Sequence, residues 1–299
     1  MQNEEINNAD YSAPLIRELN ELSETPPAPI VPMPDNPPWN SGTAIGVWVA
    51  SFIFIAVVPL FFILPYAVAN NVNFADTQAL TKFLLDNPTA VLLQVLATIP
   101  AHVFTVLLGW LVVTRFRKFS FRKTLGWEKG GFEWWYYPLI LFGIFGIAAL
   151  VNYFFPQQDN DMLRILRSSQ AAVFAVAFLA TFTAPLAEEV VYRGILYSAF
   201  QRTFGVAPAV VFVTLIFAAV HFYQYWGSPS TIFLICFLSL ILTLVRVFSK
   251  NLLPCIILHT LINGVQSVVL VVQSFAPPEE SGAPEQTASI IRLFNSIFY

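Results

Sequence analysis

Charge is scarce in this chain. Aspartate, glutamate, lysine and arginine make up 11% of its 299 residues, against roughly 25% in soluble globular domains. That shortage excludes an ordinary soluble fold. The net charge of −3 is too small to imply a nucleic-acid or acidic partner. Cysteine is nearly absent too. Cys236 and Cys255 both lie in apolar stretches, which excludes a disulfide framework or a zinc ribbon. Both read as small buried hydrophobes. The strict polar–apolar alternation of a transmembrane barrel strand does not occur. Nor does an HExxH zinc-protease signature. The N-terminus lacks the basic and then apolar pattern of a signal peptide, so the first spanning helix is expected to act as the targeting signal.

What the chain does have is apolar length. Hydrophobic residues are 57% of it and its mean hydropathy is +0.66. A membrane-spanning helix needs about 20 apolar residues. Runs of that kind predict spans at 44–69, 88–113, 134–155, 171–203, 207–225, 230–248 and 252–275. The fold class is therefore all-α: a polytopic transmembrane helical bundle of about 7–8 spans. The fourth run is long enough to require a tilt, a bend or a projection from the membrane, and Pro185 is the expected bend.

The domain plan follows. Residues 1–43 are acidic and proline-rich (TPPAPIVPMPDNPPW) and predict a disordered tail. Residues 44–275 form the bundle, with its chemistry in 171–275. Residues 276–299 form a C-terminal tail, with an interfacial helix over 286–299. Lysine and arginine in the short loops set the orientation. The loop 114–133 alone holds six of the fifteen basic residues. With that loop inside, nine loop cations fall inside and only Lys82, Arg164 and Arg167 outside. The N-terminus is then cytoplasmic, and the localisation expected of a bacterial protein is the plasma (inner) membrane.

Within 171–275 the only carboxylates are Glu188 and Glu189, and the only histidines are His221 and His259. An ionisable group inside a span is costly unless paired, and is a functional hypothesis by default. Glu189 and Arg193 are four apart, with the acid N-terminal, the favoured orientation for a helical pair. Glu188 lies about 100° around the helix. It is left free to face a cavity, where a partly desolvated carboxylate suits a general base. His259 and Asn263 share a helix face; an imidazole serves acid–base or metal chemistry, and an amide can donate to an oxyanion. Phe217 shares a face with His221 and could wall a dry pocket. The bland reading is an ion pair and some interhelical glue. It suits His102, in the second span, better than the three motifs taken together.

Those motifs, EEVVYR (188–193), FAAVH (217–221) and HTLIN (259–263), resemble in order the EExxxR, FxxxH and HxxxN/B motifs of the CPBP family. That family includes type II CAAX prenyl endopeptidases and bacteriocin-processing or immunity-type membrane proteins. TLGW at 124–127 resembles the family as well. The resemblance covers about 170–275. It implies an intramembrane endopeptidase, a metalloprotease by usual description, acting on a membrane-associated peptide or protein. By that analogy Glu188 with His221 activates water, His259 and Asn263 stabilise the oxyanion, and Glu189 with Arg193 holds the site's shape. It also implies Zn2+, for which Glu188, His221 and His259 are the candidate ligands. Two other readings stay open on the residues alone: a proton- or ion-coupled transporter, and a non-catalytic immunity-type protein. Membrane lipid is the expected surroundings in every case.

Overall fold

The structure is a computed structural model that describes residues 32–156 and 161–275. The expected tail up to residue 31 and the expected interfacial helix at 286–299 lie outside the described residues.

In chain order the helices are α1 (Ser41–Val57), α2 (Leu60–Ala69), α3 (Thr77–Asp86), α4 (Pro88–Thr114), α5 (Phe121–Leu125), α6 (Tyr136–Phe154) and α7 (Asp161–Ser168). A continuous long helix, Gln170–Phe204, follows. It changes register along its length: α8 (Gln170–Phe178), π1 (Leu179–Thr183), α9 (Ala184–Glu189), π2 (Val190–Leu196) and α10 (Tyr197–Phe204). The described residues end with α11 (Val206–His221), α12 (Pro229–Ser249) and α13 (Leu253–Gln273).

Six of these stretches are long and apolar enough to cross a membrane: Ser41–Ala69, Pro88–Thr114, Tyr136–Phe154, the long helix, Pro229–Ser249 and Leu253–Gln273. The seventh, α11, has 16 residues. At 1.5 Å per residue it reaches about 24 Å, short of a hydrocarbon core of about 30 Å. The protein is thus a helical, multi-pass membrane bundle.

Local chemistry explains where the helices begin. The side chains of Asn40, Asp76 and Asn87 each accept from backbone N–H groups in the first turn of α1, α3 and α4, which satisfies donors that the helix leaves bare. Pro88 and Pro229 stand in the first turn, where no N–H is needed. At one end of the bundle Arg164 of α7 pairs with Asp86 of α3 at 2.6 Å.

The opposite end gathers the basic loops, and here the chain departs from expectation. Residues 32–40 were expected to belong to the tail. They pack instead as a strap across the ends of α4, α10 and α12. Arg246, only 1% exposed, pairs with Asp35 at 2.9 Å and donates to the Pro34 carbonyl at 2.7 Å. Gln201 donates to the Asp35 carbonyl, Arg202 to the Pro37 and Trp39 carbonyls, and Arg115 to the Pro38 carbonyl. Trp39 is buried, and its indole N–H donates to the Ile195 carbonyl in π2 at 3.0 Å.

Gly126, in the TLGW stretch, sits beneath the strap with φ +73. A Cβ there would lie 2.9 Å from Asn251 Cα and 2.9 Å from Pro34 Cγ, so only glycine fits. The approach lets Leu252 N–H bond to the Gly126 carbonyl at 2.8 Å and ties the start of α13 to the basic loop.

Candidate active site

The two glutamates end α9, between the two π segments. Single-turn π segments inside α-helices are frequent at functional sites, because one widened turn re-aims the side chains that follow. Pro185 lies in the first turn of α9. The long helix therefore answers the proline with a widened turn, π1, on its N-terminal side.

Glu189 and Arg193 are both fully buried, with Nη1 of Arg193 2.9 Å from Oε1 of Glu189. The guanidinium is also held from α12. It donates to Ser239 Oγ at 2.8 Å, to the Ser239 carbonyl at 3.0 Å and to Thr243 Oγ1 at 3.3 Å. Its carbon lies 4.7 Å from the centre of the Phe217 ring, a cation–π contact. A buried charge is tolerated when it is paired and hydrogen-bonded in this way.

Glu189 does more than neutralise Arg193. The same Oε1 atom lies 2.8 Å from Nδ1 of His259. A carboxylate only accepts, so Nδ1 carries the proton, and the ring is locked with Nε2 pointing on. What Nε2 meets is Glu188, whose Oε2 is 3.8 Å away. Glu188 keeps 24% of its side-chain surface open, whereas Glu189 keeps none. The adjacent acids therefore divide: one is sealed and orients, the other is open. Oε2 of Glu189 is buried with no hydrogen-bond partner among the described residues.

His221 closes α11. Its Nδ1 is 2.8 Å from the Phe217 carbonyl, which leaves Nε2 bare when Nδ1 donates. Its ring packs on Phe217 at 4.8 Å between centroids, and Phe217 in turn lies 6.3 Å from His259 and 4.9 Å from Tyr192. Phe217 is thus the shared wall between both histidines and Arg193. His221 forms no ion pair with either glutamate among the described residues. Asn263, one turn beyond His259, is half-buried and donates through Nδ2 to the Ala180 carbonyl at 2.9 Å.

The structure therefore links Arg193, Glu189 and His259 by hydrogen bonds and sets Glu188 3.8 Å from His259. It joins His221 to them through Phe217 and sets Asn263 against π1. His102, read as structural, bonds across to Thr183 Oγ1 at 3.0 Å.

Sequence reasoning passed over three partners. Ser239 and Thr243 hold Arg193, and their four-residue spacing in an otherwise apolar span was the available signal. Tyr225 stands just past His221. Burial first, and the Glu188 carboxylate second, push its hydroxyl up to about 12.

The fit to zinc is poor. A catalytic zinc needs three protein ligands, each about 2.0–2.2 Å from one ion. Among the described residues no three His, Cys, Asp or Glu side chains gather to hold a metal; Glu188 and His259 approach each other without His221.

Residues 170–265 match the family model described as type II CAAX prenyl endopeptidase Rce1-like. The matched range contains all three motifs, and over it the chain is similar to the Rce1-like family, which is described as endopeptidases. Searches of curated proteins and of solved structures found no match.

Proposed function

We propose that the protein is an intramembrane endopeptidase that hydrolyses a membrane-associated peptide or protein, with a CAAX-type prenylated C-terminus as the leading substrate class. The observation that carries this reading is the division of labour between the adjacent acids. Glu189 is sealed against Arg193 and fixes His259, and His259 presents Nε2 to the open carboxylate of Glu188.

The steps follow from that arrangement. Glu188 takes a proton from a water as its oxygen attacks the scissile carbonyl carbon, with Nε2 of His221 sharing the water. The carbonyl π electrons move to oxygen. An Nε2–H on His259 donates to the oxyanion, and the second amide hydrogen of Asn263 joins it. Collapse of the intermediate expels the amine, which receives the proton that Glu188 took. With nine loop cations on one side against three on the other, the strap and the basic loops face the cytoplasm in this reading, in the plasma membrane if the host is bacterial.

The test is cleavage of a quenched-fluorescence prenylated CAAX peptide by the purified protein in liposomes. Wild type cleaves and Glu188→Gln does not, while both accumulate equally. Equal signals from both, or from neither, would overturn the reading.

A further inference from the structure

We propose that Asn263 is a positioning residue that supplies the hydrogen bond Pro185 cannot make, and so holds the widened turn from which Glu188 projects. The argument begins with the backbone. At the end of π1, Ala184 N–H reaches back five residues to the Leu179 carbonyl. In ordinary α register that N–H would have served Ala180, so Ala180 loses its first donor. In the wide register the next donor is residue 185, which is proline and has no N–H. The Ala180 carbonyl is thus left without a main-chain donor on both counts.

Inside a membrane such a carbonyl is costly, and proline is tolerated in spanning helices where a neighbouring helix re-satisfies the freed group. Asn263 of α13 does this, with Nδ2 2.9 Å from the Ala180 oxygen. The rest of the seam supports a close approach. Ser267, four residues further on, bonds to the Ala177 carbonyl at 3.2 Å and receives Thr181 Oγ1 at 2.9 Å. Gly264 faces Thr181, where a Cβ would already be in contact at 3.5 Å.

The consequence concerns geometry at the site. Three residues after Pro185 comes Glu188. On α13, His259 lies one turn before Asn263. The Asn263–Ala180 bond and the His259–Glu189 bond are therefore two stitches between the same pair of helices, and together they fix the register of α13 against the acids. Loss of the Asn263 stitch lets π1 relax and moves Glu188 relative to His259. This deepens the peptidase reading and rests on it only for the kinetic measurement.

The experiment is a double-mutant cycle between Asn263→Leu and Pro185→Ala, since alanine at 185 restores an N–H beside the Ala180 carbonyl. Thermal unfolding midpoints are measured in detergent, and kcat and KM in liposomes. Asn263→Leu is expected to lower the midpoint in the proline background, and the drop is at least halved in the alanine background. The loss in kcat shrinks only by the share that comes from the position of Glu188, the oxyanion share remaining, while KM moves little. Equal drops in both backgrounds would overturn the proposal, because a residue acting only as an oxyanion donor has no reason to be rescued from position 185. Should Asn263→Leu fail to accumulate, Asn263→Ser in both backgrounds reads the same coupling. Coupling in the unfolding midpoints with no cleavage by wild type would leave the clamp standing and remove the peptidase reading.

Discussion

His259 Nδ1 and Glu189 Oε1 are 2.8 Å apart, and this bond decides what the other side of the imidazole faces. With Nδ1 spent, only Nε2 is left for Glu188 and for chemistry. The adjacent acids therefore fail differently when neutralised. Glu188→Gln should abolish cleavage and leave the unfolding free energy within about 0.5 kcal/mol of wild type, the usual range for an open position. Glu189→Gln should cost roughly 3–5 kcal/mol, because Arg193 loses a buried partner. Unfolding in detergent beside a cleavage assay separates the two, and similar stability losses for both would contradict the division.

Arg193→Lys is a sharper test of the fork. The guanidinium reaches Glu189, Ser239 and Thr243 at once, and an ammonium cannot span that geometry. A loss of about 3–6 kcal/mol is expected, of the order of two buried charged hydrogen bonds. Ser239→Ala should give a smaller loss of the same kind. A lysine variant as stable as wild type would show that charge alone suffices.

The strap is expected to carry stability although it lies outside the spans. Trp39→Phe keeps most of the buried ring and removes the bond to the Ile195 carbonyl, for about 1 kcal/mol. Trp39→Ala also leaves a cavity and should cost about 3–5 kcal/mol. Deleting residues 32–39 should lower the unfolding midpoint at least as far, since Arg246 is then buried without Asp35. An unchanged midpoint on deletion would mean that the strap merely rests on the bundle.

Gly126→Ala meets two obstacles, a φ of +73 and the close backbone of Asn251. A cost above about 1–2 kcal/mol follows from the left-handed backbone alone. Protein yield and unfolding temperature read it, and a neutral result would mean that the basic loop shifts freely.

Because no three metal-binding side chains gather among the described residues, cleavage is expected to persist after treatment with a strong chelator. Loss of cleavage that added Zn2+ restores would show that Glu188, His221 and His259 draw together around an ion in the working enzyme.

Composition by itself determined the helical membrane class, because too little charge and long apolar runs leave few other solutions. The spans at 88–113, 230–248 and 252–275 were legible almost to the residue, since each is bounded by proline or charge. Rarity and helical spacing also picked out Glu188, Glu189, Arg193, His221, His259 and Asn263. Spacing reports which side chains share a face of one helix. It does not report which backbone carbonyl has lost its donor or which helix lies opposite. Only the tertiary structure decided that Glu189 serves His259 as well as Arg193, that Ser239 and Thr243 complete the fork, and that Asn263 meets the carbonyl freed by Pro185. The strap is the clearest case. Its composition, proline and few apolar groups, argued for disorder, and what holds it is a set of arginines more than seventy residues away in the chain. Contacts of that range depend on the folded bundle bringing acceptors and donors together, and no local pattern encodes them.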